Sequence, residues 1–440
     1  MAPESLEFGL ASVPPDEDGL ADDDSVSMAD GSVEAAVRAS GPRLPGERIA
    51  ARASAARGEL TEIREKVGQE LAHLSKAFEG SEKEMKDLLA ILQDALSFWP
   101  PLYPNSILGH PWTWIPPHPE YSEFRIFDTR DMMRAIKYFV DVTVPALPFE
   151  MPENLPGFGT AVFWRPTRIL FQPDPNDDPY SHPDEAWVYI NGIGTNPEMA
   201  RLNASYLAKI FGRPMTIIQN ATDSIMVDLF EAVLGKALPV VTEAAAKAYP
   251  FIHHALHHED KKRVVVLCHS QGTIVMSNVL RALVDESHRE SLEEGLRRMR
   301  QEHDCSLRAI EDTELLKKLE IYAFANCADV MMHAPVGLTE AGNRVPWIES
   351  YGNQYDFVAR CGALAPNREK HGIRIDGAIY VNDGAWGHCL NHHYLRRMMT
   401  HLEHPHGVTN PYRLSNSHDG PFLGLPRLYS YYDNASPDPY

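Results

Sequence analysis

Residues 263–284 read RVVVLCHSQGTIVMSNVLRALV and join a strand to a helix without a linker. The β-branched run at its start is typical of a buried strand, and the apolar residues after Ser270 recur at helical spacing. A serine at such a corner can simply cap a helix. It can also be held in a strained turn with its hydroxyl exposed for reaction. Gly272 supplies the small residue that this second arrangement needs after the serine, whereas Cys268 stands where the preceding glycine is usual.

Segments of strand and helix character alternate on both sides of this corner, from about residue 159 onward. Helices are predicted over 197–211, about 224–236, about 242–258, 271–284 with a charged continuation to about 318, and after 388. Strands are predicted in TAVFWRP, TRILFQPD, AWVYING, MTIIQNA, EIYAFANC, WIESYGN and GAIYVND. This alternation predicts an α/β fold with a mostly parallel central sheet and helices on both faces.

The chain before residue 157 differs in composition from the rest. Residues 1–57 are acidic and almost free of aromatic side chains, which predicts a disordered acidic tail. Residues 58–156 are predicted to form a helical and Pro/aromatic-rich N-terminal addition, with an irregular covering segment after Phe98 and a helix over 129–142. Its helices at 60–97 could cover a site or mediate self-association, and the sequence leaves both open. Residues 157–440 are predicted to form the α/β domain.

Charge and cysteine content exclude several functional classes. The formal net charge is −20, and the first 37 residues hold ten acidic residues without any Lys or Arg. A chain without a basic stripe is not expected to bind nucleic acid. The five cysteines form no Cys-x-x-Cys pair, which favours reduced thiols and a cytoplasmic location. No signal peptide or apolar run long enough to span a membrane is recognised.

Two later strands supply the partners that a reactive serine needs. A serine hydroxyl becomes nucleophilic when an imidazole accepts its proton and a carboxylate orients that imidazole. Asp356 follows the strand WIESYGN, and His388 follows GAIYVND at the predicted start of the last helix. The order Ser270, Asp356, His388 is the one expected for a serine on a strand–helix corner. Asp329, after the preceding strand, is an alternative acid.

The stretch VYINGIGTNPEMA, residues 188–200, predicts the second half of an oxyanion hole. Gly192 and Gly194 allow the backbone to approach the serine, and we expect the N–H groups of Ile193 and Gln271 to be the two donors. The same stretch is not a dinucleotide-binding fingerprint, because its third glycine is replaced by Pro197.

In these features the chain resembles the α/β-hydrolase superfamily, specifically its serine esterase/lipase-like members, over about residues 159–405. The resemblance implies a nucleophile at Ser270, an acid at Asp356 and a base at His388, with oxyanion donors at Ile193 and Gln271. It implies hydrolysis of a small-molecule ester or lipid-like substrate, with thioesters and amides as alternatives, and neither cofactor nor metal. The segment after FANC is too short for a large lid domain.

Three other interpretations remain open. The first is a non-catalytic scaffold of the same fold that binds a small ligand or a protein. The second is a metal-dependent hydrolase that uses the histidine pairs of FIHHALHHED, although a solvated helix end explains those histidines better. The third concerns an aromatic cluster, which could line the substrate entrance, make peripheral membrane contact or simply cover the edge of the sheet; it comprises Phe98, Tyr103, Trp112 and Trp114.

Overall fold

The structure is a computed structural model that describes a little over half of the chain. The described residues are 103–114, 119–127, 135, 138, 167–173, 182–220, 243–290, 309–310, 313–332, 345–415 and 425–438. All of them belong to one compact unit, Phe78–Tyr440. The predicted tail over 1–57, the helices at 60–97 and 224–236, and the strand TAVFWRP lie outside these residues. The helix over 129–142 is described only at Ala135 and Tyr138, which are both helical.

An eight-stranded sheet forms the centre of the described structure. Its spatial order is β1-β3-β2-β4-β5-β7-β9-β10. The inner strands from β3 to β9 run parallel, whereas β1 and β10 are antiparallel edges. The strands are β1 Arg168–Gln172, β2 Glu185–Ile190, β3 Met215–Gln219, β4 Arg263–His269, β5 Leu319–Phe324, β7 Trp347–Asn353, β9 Ala378–Asn382 and β10 Tyr412–Leu414. A small parallel pair joins β6 Val330–Met331 to β8 Arg374–Ile375. The predicted mostly parallel sheet is confirmed.

The α-helices are α1 Tyr103–Leu108, α2 Pro197–Phe211, α3 Glu243–His257, α4 Gln271–Val284, α5 Thr313–Leu316, α6 Phe357–Arg360 and α7 Arg396–Glu403. A π-helix, Leu390–Leu395, runs into α7, and 3₁₀ helices span Pro111–Trp114, Glu123–Phe127, Arg368–His371 and Arg427–Asn434. The irregular structure predicted after Phe98 is wrong where α1 forms, because Pro104 is tolerated in the first helical turn. The last helix begins at Leu390 rather than at His388.

Strand β4 is buried on both of its faces. Val264, Val266 and Cys268 pack in a core with α3 and α4. Val265 and Leu267 point to the other side, into a core with α2 and α7. Because side chains alternate across a sheet that helices cover on both faces, the strand reads as a continuous apolar run. The predicted two-sided helical covering is therefore confirmed.

The strand order changes direction between β2 and β4. The strand that follows β2 in the chain is β3, on one side of it, whereas the strand that follows β4 is β5, on the opposite side. The connections leave the two strands in opposite directions, so a crevice opens at the carboxyl ends of β2 and β4, where α/β sheets bind ligands. This topology brings residues 191–196 beside Ser270.

The amino-terminal ends of the strands carry a separate charged network. Glu185 on β2 accepts from Arg213 at 3.0 Å, and Glu320 on β5 pairs with Arg427 at 3.1 Å. Arg427 belongs to the C-terminal segment, residues 425–438, and its backbone N–H also donates to the buried Glu349. These contacts fix the C-terminal segment to the end of the sheet opposite Ser270.

Among the described residues, no helix combines the length and apolar character that a bilayer crossing requires.

Candidate active site

Ser270 lies at the junction of β4 and α4 with a positive φ, at φ 58° and ψ −128°. A non-glycine residue adopts positive φ only where the surroundings enforce it. Here the start of α4 passes close to the end of the neighbouring strand β2: a Cβ on Gly272 would lie 2.3 Å from the carbonyl oxygen of Ile190. A Cβ on Gly192 would lie 2.5 Å from the Cβ of Ser270. Glycine at both positions permits the corner to form.

The imidazole of His388 connects Ser270 to Asp356. Its Nε2 lies 2.9 Å from the hydroxyl oxygen of Ser270, and its Nδ1 lies 2.8 Å from Oδ2 of Asp356. The Asp356 side chain is fully buried, and that of His388 is 16% exposed. The structure thus brings the three predicted side chains into one hydrogen-bonded series, although they lie 118 and 32 residues apart.

Two further donors hold the carboxylate of Asp356. Its Oδ1 accepts the N–H of Val358 at 2.9 Å, and its Oδ2 also accepts the hydroxyl of Tyr394 at 2.5 Å. Three donors satisfy most of the acceptor capacity of a buried carboxylate and fix its orientation. Asp329, the alternative acid, lies between β5 and β6, where its charge acts on the guanidinium of Arg281.

His269 stabilises the position of His388, a role that our reading of the sequence did not assign to it. Its Nε2 lies 2.8 Å from the backbone carbonyl of His388, and the two rings are 4.6 Å apart. Burial, with a contribution from His388, holds the pKa of His269 well below its usual range. The ring is therefore neutral, and its Nε2–H donates to that carbonyl.

Amide hydrogen bonds orient the loop expected to bind an oxyanion. The Asn191 side chain donates to the carbonyl of Gly192 at 2.9 Å. Since a trans peptide directs its C=O and N–H to opposite sides, the Ile193 N–H points away from that amide. Asn220 donates to the Gln271 side chain at 2.6 Å, and its own backbone N–H donates to Asn191 at 2.9 Å. This network links the ends of β2 and β3 to the start of α4.

A row of aromatic rings connects the loops that carry Asp356 and His388 to residues 110–112. Tyr355 stacks on Trp386 at 4.4 Å between ring centroids, and His110 stacks on Trp112 at 4.2 Å. The two pairs meet where His110 lies 5.4 Å from Trp386. Trp112 is 67% exposed, whereas the side chains of Trp114 and Tyr103, like all of Phe98, lie outside the description. Tyr355 is adjacent to Asp356 in the sequence, and Trp386 stands two positions before His388.

The histidine pairs at the end of α3 form no metal centre in the described part of the chain. His253 is buried and stacks on His257 at 4.2 Å between ring centroids, while His254 and His258 are exposed. No group of three or more His, Cys, Asp or Glu side chains arranged to hold a metal occurs among the described residues.

The fold and the site together define an α/β protein with a serine, an imidazole and a buried carboxylate in series. Such a series can move the hydroxyl proton onto the imidazole while the carboxylate holds the required tautomer. Comparison of the chain with protein-family models, curated proteins and solved structures finds no match.

Proposed function

We propose that the protein is a serine hydrolase of the α/β-hydrolase fold that cleaves ester bonds through an acyl-enzyme. The main support is the hydrogen-bonded series from Ser270 through His388 to Asp356, on a corner whose serine has positive φ. A serine that merely caps a helix needs neither partner, and Ser270 makes no side-chain capping bond. A non-catalytic scaffold would likewise not require the buried Asp356.

The mechanism begins when Ser270 attacks the acyl carbonyl and its proton passes to Nε2 of His388. Asp356, bonded to Nδ1, stabilises the imidazolium. The N–H groups of Ile193 and Gln271 bind the oxyanion of the tetrahedral intermediate. The imidazolium protonates the leaving alcohol, and the acyl group remains on Ser270. His388 then removes a proton from water as it attacks the acyl-enzyme, and returns that proton to the Ser270 oxygen as the acid is released.

The aromatic residues near the site support the proposed substrate class. The aromatic row that ends at Trp112 offers apolar ring faces beside the triad, which suits an ester with an apolar or lipid-like group. Peripheral membrane contact by the exposed Trp112 is part of this proposal. The four described cysteines are free, which fits a cytoplasmic location.

Replacement of the proposed nucleophile tests this function. Ser270→Ala should lower kcat for p-nitrophenyl esters by several orders of magnitude with little change in the thermal midpoint, and should abolish labelling by a fluorophosphonate. Ser205→Ala is the matched control, since its hydroxyl bonds to Leu202 within α2. Esters of graded chain length would then define the acyl preference. A wild-type protein that neither turns over esters nor becomes labelled would refute the proposal and favour the scaffold.

A further inference from the structure

A segment that precedes the sheet in the chain binds the helix that follows His388. The two carboxylate oxygens of Glu123 accept the N–H groups of Asn391 and His392, at 2.7 and 2.9 Å. These groups lie in the first turn of the π-helix Leu390–Leu395, where backbone donors have no acceptor within the helix. A carboxylate there satisfies them and complements the helix dipole.

The neighbours of Glu123 extend this contact. The hydroxyl of Ser122 lies 2.7 Å from Nδ1 of His392, and the Asn391 side chain donates to the carbonyl of Tyr121 at 2.9 Å. The Phe124 ring meets the His392 ring edge-on at 4.8 Å between centroids. Four successive residues therefore hold the first turn of the helix from outside.

A second piece of the same N-terminal region fixes the loop that carries His388. The His388 N–H donates to the carbonyl of Ile107 at 2.8 Å. The buried ring of His393 supports the same loop, because added Cβ atoms on Gly109 and Gly387 would each come within 2.4 Å of it. The backbone of His388 is thus held on one side by residues 107–109 and, through the next helix, by Glu123.

This double contact bears on the proposed reaction because His388 must remain 2.9 Å from the Ser270 hydroxyl. A displacement of about 1 Å in a reacting group can reduce a rate by about 100-fold. We propose that Glu123 is a positioning residue, which fixes the first turn after His388 and so keeps the imidazole aligned with Ser270. The inference rests on the function proposed above.

The test replaces one acceptor oxygen of Glu123 while keeping its size. In Glu123→Gln, a single side-chain oxygen remains for two backbone donors. We expect kcat for p-nitrophenyl esters to fall about 10- to 100-fold with KM changed by less than about twofold, because alignment rather than substrate binding is lost.

Glu349→Gln is the matched control for this substitution. Glu349 is also buried, and it also accepts two successive backbone N–H groups at a helix start, those of Arg427 and Leu428. Burial raises the pKa of both glutamates to about 7. Glu349 lies on the amino-terminal half of β7, away from Ser270, so Glu349→Gln should leave kcat unchanged. An equal fall in kcat in both variants, or none in Glu123→Gln, would overturn the proposal.

A readout without turnover separates this inference from the function itself. The proton on Nδ1 of His388, bonded to Asp356, should give a far-downfield NMR resonance, identified by its loss in Asp356→Asn. We expect that resonance to persist in Glu349→Gln and to shift or vanish in Glu123→Gln, even if no ester is hydrolysed. Failure of the function would appear instead as wild-type protein without activity.

A milder variant covers the case in which Glu123→Gln does not fold. Ser122→Ala removes one hydroxyl from the same contact, and we expect kcat to fall about threefold with the resonance shifted. Unchanged kcat together with an unchanged resonance would show that this contact does not position His388.

Discussion

Replacing Asp356 with asparagine should reduce kcat/KM by about 10⁴-fold, which is about 5.5 kcal/mol of transition-state stabilisation. The hydrogen bonds around the carboxylate explain the size. Oδ1 accepts from Val358, and Oδ2 accepts from both His388 and Tyr394. An asparagine that keeps its oxygen on Val358 presents its NH₂ to Nδ1. The imidazole then carries its proton on Nε2, where it cannot accept the proton of Ser270.

Asp329→Asn is the matched control, since Asp329 follows β5 much as Asp356 follows β7. We expect its kcat/KM to stay within about twofold of the wild-type value, a difference of about 0.4 kcal/mol. The assay is p-nitrophenyl ester hydrolysis, with circular dichroism to confirm folding. If Asp356→Asn kept more than about a tenth of wild-type kcat/KM, or Asp329→Asn lost as much, the assignment of the acid would be wrong.

Two further predictions concern stability. In Gly272→Ala the new Cβ would meet the backbone of Ile190 at 2.3 Å, so we expect a loss of about 1–3 kcal/mol in unfolding free energy together with loss of activity. Gly407→Ala is the control, because its new Cβ would meet no atom within 4 Å, and it should change the unfolding free energy by less than about 0.5 kcal/mol. If urea unfolding gave equal losses for the two variants, the close packing around Gly272 would be contradicted. Burial raises the pKa of Glu349 to about 7, so the folded state retains a proton that the unfolded chain releases above pH of about 4.5. Wild-type stability should therefore fall relative to Glu349→Gln as pH rises from 5 to 8, by up to about 3 kcal/mol; a difference independent of pH would refute this.

The elements that carry the proposed triad could be predicted because their signals are local. β4 is a continuous apolar run, and α4 begins directly after Ser270 with helical spacing. Parallel strands end at one edge of a sheet, so acid and base candidates could be sought after later strands. The pair β6–β8 has only two residues in each strand, and β10 has three, so neither has a sequence pattern long enough to recognise.

His269 and Glu123 could not be assigned in the same way because their partners are distant in sequence. His269 bonds to a residue 119 positions away, and Glu123 to residues 268 and 269 positions away. Alternation along β4 does place His269 on the face opposite Cys268, toward α7, which is a usable signal. No comparable signal exists for Glu123, since its role depends on how residues 119–127 dock.

The distance of each triad residue from its strand indicates how much external support it needs. Ser270 follows β4 directly, so the sheet itself places it. Two residues separate Asp356 from the end of β7 at Asn353, and its carboxylate is held by three donors. Five residues separate His388 from the end of β9 at Asn382, so the sheet constrains it least. It is also the residue whose backbone is held by Ile107 and His269. The contacts made by residues 107–124 thus lie where the sheet alone cannot fix the geometry, and on this reasoning the proposed catalytic unit includes this N-terminal region.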